Sequence, residues 1–134
     1  MINTICNLKK RECDNWGCGY FGASRGSRTH NGIDYLINKY ALVLSPVSGT
    51  VTKVGFPYSN DLSYRYIQIT DNAGFKHRVF YVNPSVFVGD VVEENQVIGS
   101  AQNLDKRYKG IPNHVHYEIK RNKEYFNPEE YFNG

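Results

Sequence analysis

From Leu42 onward, apolar residues come in short runs, each closed within a few positions by glycine, proline, serine or an Asx residue. That punctuation is the pattern of strands separated by turns. Leu42-Val43-Leu44 ends at Ser45-Pro46. Val47 to Val54 alternates apolar and polar around Ser48-Gly49, where glycine inside a strand marks a bend or bulge. Tyr64 to Thr70 reads as a strand, Asp71-Asn72-Ala73-Gly74 reverses the chain, and Phe75 to Val82 returns as the other arm of a hairpin. Val91-Val92 and Val97-Ile98 flank a polar turn, and His114 to Lys120 is the last clear strand. Only Pro128 to Phe132 carries helix signals, with Asn127 as cap and Pro128 in the first position. Eleven Tyr and seven Phe strengthen the reading, because aromatic side chains favour strands. The expected class is mainly β, with short antiparallel strands.

At 134 residues the chain is expected to form one domain, residues 1–134. Residues 1–29 show no sustained period and read as an irregular arm, pinned to the core by Trp16, Tyr20 and Phe21. No apolar run approaches the ~20 residues needed to span a membrane. A net charge of +3 is scattered singly apart from Lys9-Lys10-Arg11, which reads as a solvated surface, so nucleic acid is not an expected partner. Met1 to Cys13 holds too few consecutive apolar positions for a signal peptide. The chain is then either intracellular or a mature form with a starting Met, and the cysteines favour the second. Cys13 and Cys18 flank a turn-prone segment, Asp14-Asn15-Trp16-Gly17, that can bring their sulfurs together, and a disulfide there implies an oxidising compartment. Cys6 is left over. Three cysteines with no C-x-x-C pair argue against a cysteine metal site and against dithiol redox chemistry.

Chemistry is concentrated in the histidines. In Thr29-His30-Asn31-Gly32-Ile33-Asp34, the glycine and β-branched isoleucine disfavour a helix. In an extended chain His30 and Asp34 point to one side. In His114-Val115-His116 the two imidazoles share a face, ~6.5–7 Å apart at Cα. One can bind a metal while the other stands behind it or meets a substrate. An isolated H-x-H is more often a surface pair on an amphipathic strand, but an H-x-x-x-D with an internal glycine upstream reverses that reading. His30, Asp34 and His116 together make a nitrogen and oxygen donor set suited to Zn²⁺ with a fourth position open to water.

Gly22 to Asp34 (GASRGSRTHNGID), Ser45 to Val51, Gln96-Val97-Ile98-Gly99 and the His114/His116 pair resemble the LytM-type (M23, lysostaphin-like) zinc peptidases. The stretches Cys13 to Tyr20, Phe80 to Pro84 and Tyr108 to His116 resemble a secreted branch of that family understood to bind rather than to cut. The resemblance runs from Cys13 to Phe132. It implies an antiparallel sheet with long loops walling a groove over zinc, His30, Asp34 and His116 as ligands, and His114 as the histidine that helps activate water. It also implies a Cys13–Cys18 disulfide loop. Cys6 resembles the first cysteine of that branch, whose partner position near Ile37 holds no Cys.

Active relatives carry a further histidine two residues after a strand tyrosine. Here Tyr81-Val82-Asn83-Pro84 puts Asn83 in that catalytic position, and Asn can donate a hydrogen bond but cannot transfer a proton near neutral pH. His77, expected to face solvent near the turn, is too far along the strand to substitute. The resemblance therefore implies a secreted, extracellular, monomeric zinc-binding module whose partner is a cell-surface receptor or a peptidoglycan or glycan ligand, with weak or no hydrolysis. The alternative is an active zinc metalloendopeptidase cleaving glycine-containing crosslinks of peptidoglycan.

Overall fold

Alternation along the sequence becomes alternation of faces in the fold. A computed structural model of the protein describes residues 5–25 and 28–133. A 3₁₀ turn at Ile5–Asn7 precedes β1 (Ser24–Arg25), β2 (Arg28–Thr29), β3 (Ile33–Leu36), β4 (Leu42–Leu44) and β5 (Gly49–Gly55). Next come β6 (Tyr66–Thr70), β7 (Lys76–Phe80), β8 (Val82–Pro84), β9 (Val91–Val92) and β10 (Val97–Ala101). The chain closes with β11 (His114–Arg121), β12 (Glu124–Phe126) and a short helix α1 (Pro128–Asn133). Among the described residues, β1 and β2 form a small ribbon, and β4, β10 and β8 form a three-stranded sheet in that order. A larger sheet runs β12-β11-β7-β6-β5-β9, with β3 also paired to β11. The pairings are antiparallel, as the sequence led us to expect. No helix of the described residues is long and apolar enough to cross a membrane.

β11 organises the molecule because it lies between β3 and β7. His116 stands opposite Asp34 on one side and Phe80 on the other, and Tyr117 stands opposite Ile33 and Val79. Opposed residues share a face and successive residues alternate. One face therefore carries Val115, Tyr117 and Ile119, which pack with Ile33, Tyr35, Ile67, Ile69 and Val79 into the core. The opposite face carries His114, His116 and Glu118. Gly32 permits the approach of β3 to β11, since a Cβ there would lie 2.2 Å from the Tyr117 carbonyl oxygen.

Three expectations need correction. The return arm of the hairpin does not run unbroken from Phe75 to Val82. Tyr81 takes a positive φ of 73°, and its N–H and that of Val82 both point to the Arg65 carbonyl, at 2.8 and 3.2 Å. The strand breaks there, and β8 leaves the large sheet to pair with β10. The bend expected at Ser48-Gly49 is present, with Ser48 in a bend and Gly49 opening β5, and a further irregularity falls between Val51 and Lys53. In the arm, Phe21 packs on the core, but Trp16 and Tyr20 stay 46% and 52% exposed, and Ile5 and Ala23 are the buried anchors.

His77 is the third correction. It is fully buried rather than solvent-facing, because it stands opposite Ile119 and Ile69 on the core face. Its Nε2 lies 2.9 Å from Asp71 Oδ2 and its Nδ1 2.6 Å from the Tyr117 hydroxyl. A carboxylate only accepts, so Nε2 carries the proton and Nδ1 accepts from Tyr117. Burial pushes the His77 pKa down against the pull of Asp71. The folded state thus binds fewer protons at this site than the unfolded state, and stability rises with pH. The contribution is complete above the unfolded value of about 6.5 and is lost as pH falls through the lower folded value. His77→Phe, which strands the Tyr117 hydroxyl, is expected to cost roughly 1–3 kcal/mol at neutral pH. In thermal unfolding, its deficit against the parent should be larger at pH 7.5 than at pH 5.5, and a deficit that widens on acidification would contradict this assignment.

Candidate metal centre

His30, Asp34 and His116 meet at one point on the polar face of β11. His30 follows β2, and its backbone is held to the arm by its N–H on the Ala23 carbonyl (2.7 Å) and by Gly22 N–H on its own carbonyl (2.8 Å). Asp34 comes from β3 and stands across from His116. His30 Nε2 lies 2.9 Å from His116 Nδ1. Asp34 Oδ1 lies 3.1 Å from the first and 3.0 Å from the second.

The outer atoms of the three side chains are each committed elsewhere. His30 Nδ1 lies 3.0 Å from the Tyr20 carbonyl, which can only accept. His116 Nε2 lies 2.9 Å from Glu118 Oε1. Asp34 Oδ2 accepts from Arg11 Nε and Nη2 at 3.1 and 3.0 Å. With a cation bound, protons on the outward nitrogens would leave His30 Nε2, His116 Nδ1 and Asp34 Oδ1 with lone pairs turned towards a common point. That is the arrangement in which a carboxylate or carbonyl behind each imidazole fixes the ligating tautomer. These residues could hold a metal ion, and a triangle of this size lets all three atoms sit the ~2.0–2.1 Å from one ion that zinc requires.

Charge is balanced around the triangle. Burial alone would raise the Asp34 pKa, but hydrogen bonds from His116 and His30 and the nearby positive charges hold it well below the usual carboxylate range. Burial would lower His116, yet Asp34 and Glu118 push it up to about 9. Without a cation the cluster therefore retains a proton, which metal binding displaces.

His114 stands beside the triangle, its Nε2 3.7 Å from Asp34 Oδ2. Its Nδ1 lies 2.9 Å from the Pro112 carbonyl, so Nε2 carries the lone pair. Burial holds its pKa below the ordinary histidine value against the pull of Asp34. It is neutral near pH 7 and can accept a proton.

The group opens into a groove of about 400 Å³, lined by Trp16, Tyr58, Phe80, Tyr81 and Tyr108 among others. Phe80 meets His116 edge-on and Tyr81 meets His114 edge-on, with centroids 5.1 and 5.7 Å apart. The Tyr58 hydroxyl is bonded to those of Tyr81 and Tyr108, and the Arg107 guanidinium lies 3.6 Å from the centre of the Tyr58 ring.

Asn83, expected in the catalytic position, is not brought to this groove. It sits exposed on β8, opposite Ser100, in a separate recess with Tyr40, Tyr64 and Gln102. The cause is the break at Tyr81, which turns the chain into the smaller sheet and leaves Tyr81 itself beside His114.

Several groups at the site escaped the sequence reading. Glu118 had a usable signal, since positions 114, 116 and 118 share one face of a strand. Arg11, filed with a surface charge run, is 4% exposed, and only tertiary contact reveals it. The disulfide Cys13–Cys18 is present and Cys6 is free.

Residues 28–128 match the description of peptidase family M23. The chain belongs to peptidase family M23. Leukocyte cell-derived chemotaxin-2 of Mus musculus is 32% identical over 118 residues, covering 85% of this chain and 78% of that protein. It is the branch whose loops the sequence motifs resembled. The fold matches the catalytic domain of the antimicrobial peptidase lysostaphin from Staphylococcus simulans, with a TM-score of 0.70 at 23% identity, over 97% of this chain and 96% of that one. A zinc-containing peptidase from Vibrio cholerae matches with a TM-score of 0.63 at 22% identity, over 89% of this chain and 38% of that one.

Proposed function

We infer that this M23 protein is a secreted, zinc-binding recognition module that hydrolyses peptide bonds weakly or not at all. His30 Nε2, Asp34 Oδ1 and His116 Nδ1 are the metal ligands. Its partner is a cell-surface receptor or a peptidoglycan or glycan ligand seated in the groove. The observation that carries the reading is Tyr81, which meets His114 edge-on and is linked through Tyr58 to Tyr108, where hydrolysis calls for a second imidazole. Zinc held by His30, Asp34 and His116 would supply Lewis acidity and would lower the pKa of water at the open position towards ~7. His114 can take a proton, but a single general base without a partner leaves about 10²–10⁴ of rate unrealised. The Cys13–Cys18 disulfide supports an oxidising, extracellular setting. The likeness to a chemotaxin supports a binding role.

The second reading is a zinc endopeptidase cutting glycine-containing crosslinks. It is favoured by the intact ligand triangle together with the neutral His114.

The two separate on incubating the zinc-loaded protein with purified peptidoglycan and with glycine-rich peptides, scoring newly released amino groups against a chelator-treated control. The expected result is no zinc-dependent release. Asn83→His is expected to remain inactive as well, since position 83 lies outside the groove. Zinc-dependent cleavage by the unmodified protein would overturn the recognition reading in favour of the second. Cleavage by the variant alone would keep it and show that position 83 reaches the groove.

A further inference from the structure

Arg11 lies outside the region that matches the family, yet it is among the most buried charges of the protein, its side chain 3% exposed. Its guanidinium spans two partners. Nε and Nη2 grip Asp34 Oδ2 at 3.1 and 3.0 Å, while Nη1 reaches Asp14 Oδ2 at 2.6 Å and the Gly17 carbonyl at 3.1 Å. Asp14 and Gly17 lie inside the Cys13–Cys18 loop and exchange backbone hydrogen bonds of 3.1 Å. The backbone repeats the link, with Arg11 N–H on the Asp34 carbonyl (2.7 Å) and Asp34 N–H on the Gly19 carbonyl (2.8 Å). Gly19 lies so close that a Cβ there would come within 2.5 Å of the Arg11 carbonyl oxygen.

We propose that Arg11 is a positioning residue of the metal centre and that the Cys13–Cys18 loop acts on the metal through it. This rests on reading His30, Asp34 and His116 as ligands. A fixed guanidinium fork commits Oδ2 and turns Oδ1 towards the two imidazoles, presenting one oxygen rather than two. Its positive charge opposes a bound cation, so any net gain in metal affinity comes through geometry. The loop supplies the other half of the grip. Opening it frees Asp14 and Gly17, and Arg11 loses the partners that hold its far end.

The test is zinc titration against a competing chelator, with cobalt(II) as a spectroscopic stand-in. Arg11→Lys keeps the charge and loses the fork, and Arg11→Met loses both. Each is expected to weaken binding about 10–100-fold, the usual effect of removing a group that orients a ligand. The cobalt visible absorption should fall as Asp34 becomes free to bind through both oxygens and the coordination number rises. Binding that is unchanged in Arg11→Lys, or tighter in Arg11→Met, would overturn the geometric role. The Cys13→Ser/Cys18→Ser double variant keeps Arg11 and should also weaken binding, with no further loss when combined with Arg11→Lys. Additive losses would overturn the route through Arg11. A His30→Ala control that binds zinc as tightly as the parent would remove the ligand assignment itself, a failure distinct from either.

Discussion

His30→Ala is expected to emerge from dialysis with no zinc and with a markedly lower melting temperature in zinc-containing buffer. Removing one corner of the triangle leaves Asp34 Oδ1 and His116 Nδ1 facing an open position, and two ligands hold zinc poorly. The stability follows by linkage, since an ion that binds only the folded state stabilises it by RT ln(1 + [L]/Kd). At free zinc a thousandfold above Kd that amounts to about 4 kcal/mol. For a chain of this length it corresponds to a fall on the order of 10 °C. The control is the same pair in chelator, where the gap should shrink to a few degrees, because His30 then contributes only its hydrogen bonds to the Tyr20 carbonyl and within the cluster to Asp34 and His116. Calorimetry with metal analysis on the same samples decides the matter. One zinc per chain retained in His30→Ala would end the ligand assignment.

Among the described glycines, Gly32→Ala should be the change most damaging to the site. The added carbon would lie 2.2 Å from the Tyr117 carbonyl oxygen and 2.9 Å from its carbon, and both belong to the backbone of β11, held between two neighbours. Neither strand can retreat without moving Asp34 away from His116. A core that is forced apart typically costs about 1–3 kcal/mol, and the loss of the metal adds to this. Urea unfolding should show a deficit of about 3 kcal/mol or more together with absent zinc. Gly74→Ala is the comparison. Its φ of +84° is strained for alanine, but nothing lies within 4 Å of the new carbon, so about 1–2 kcal/mol is expected and zinc content should hold. A Gly32→Ala protein within 1 kcal/mol of the parent would mean that the close approach of β3 to β11 is not what positions Asp34.

The legible parts of this site were those governed by local periodicity. His114 and His116 are two apart and Asp34 is four from His30, and in extended chain such spacings place side chains on one side whatever else the fold does. The strands were legible for the same reason. Periodicity does not say which face is inside. His77 lies on the core face because Ile69 and Ile119 stand beside it, a fact about two other strands. Nor does it foresee a left-handed tyrosine. Tyr81 breaks a run of strand-forming residues, and with that break Asn83 passes to a different sheet. Arg11 was least accessible, because nothing in Lys9-Lys10-Arg11 sets the third cation apart from its neighbours. Its role exists only once Asp14, Gly17 and Asp34 surround it.

His116 and Glu118 alternate along β11 with Tyr117 and Ile119, so the same short stretch of chain is both the floor of the groove and the ceiling of the interior. A slip of a single residue against β3 or β7 would turn every imidazole inward and every core side chain out. On the proposed ligand assignment, a chain that captures the ion would have β11 in register with β3, which sets Asp34 opposite His116, and metal uptake during refolding would report the alignment of that pair.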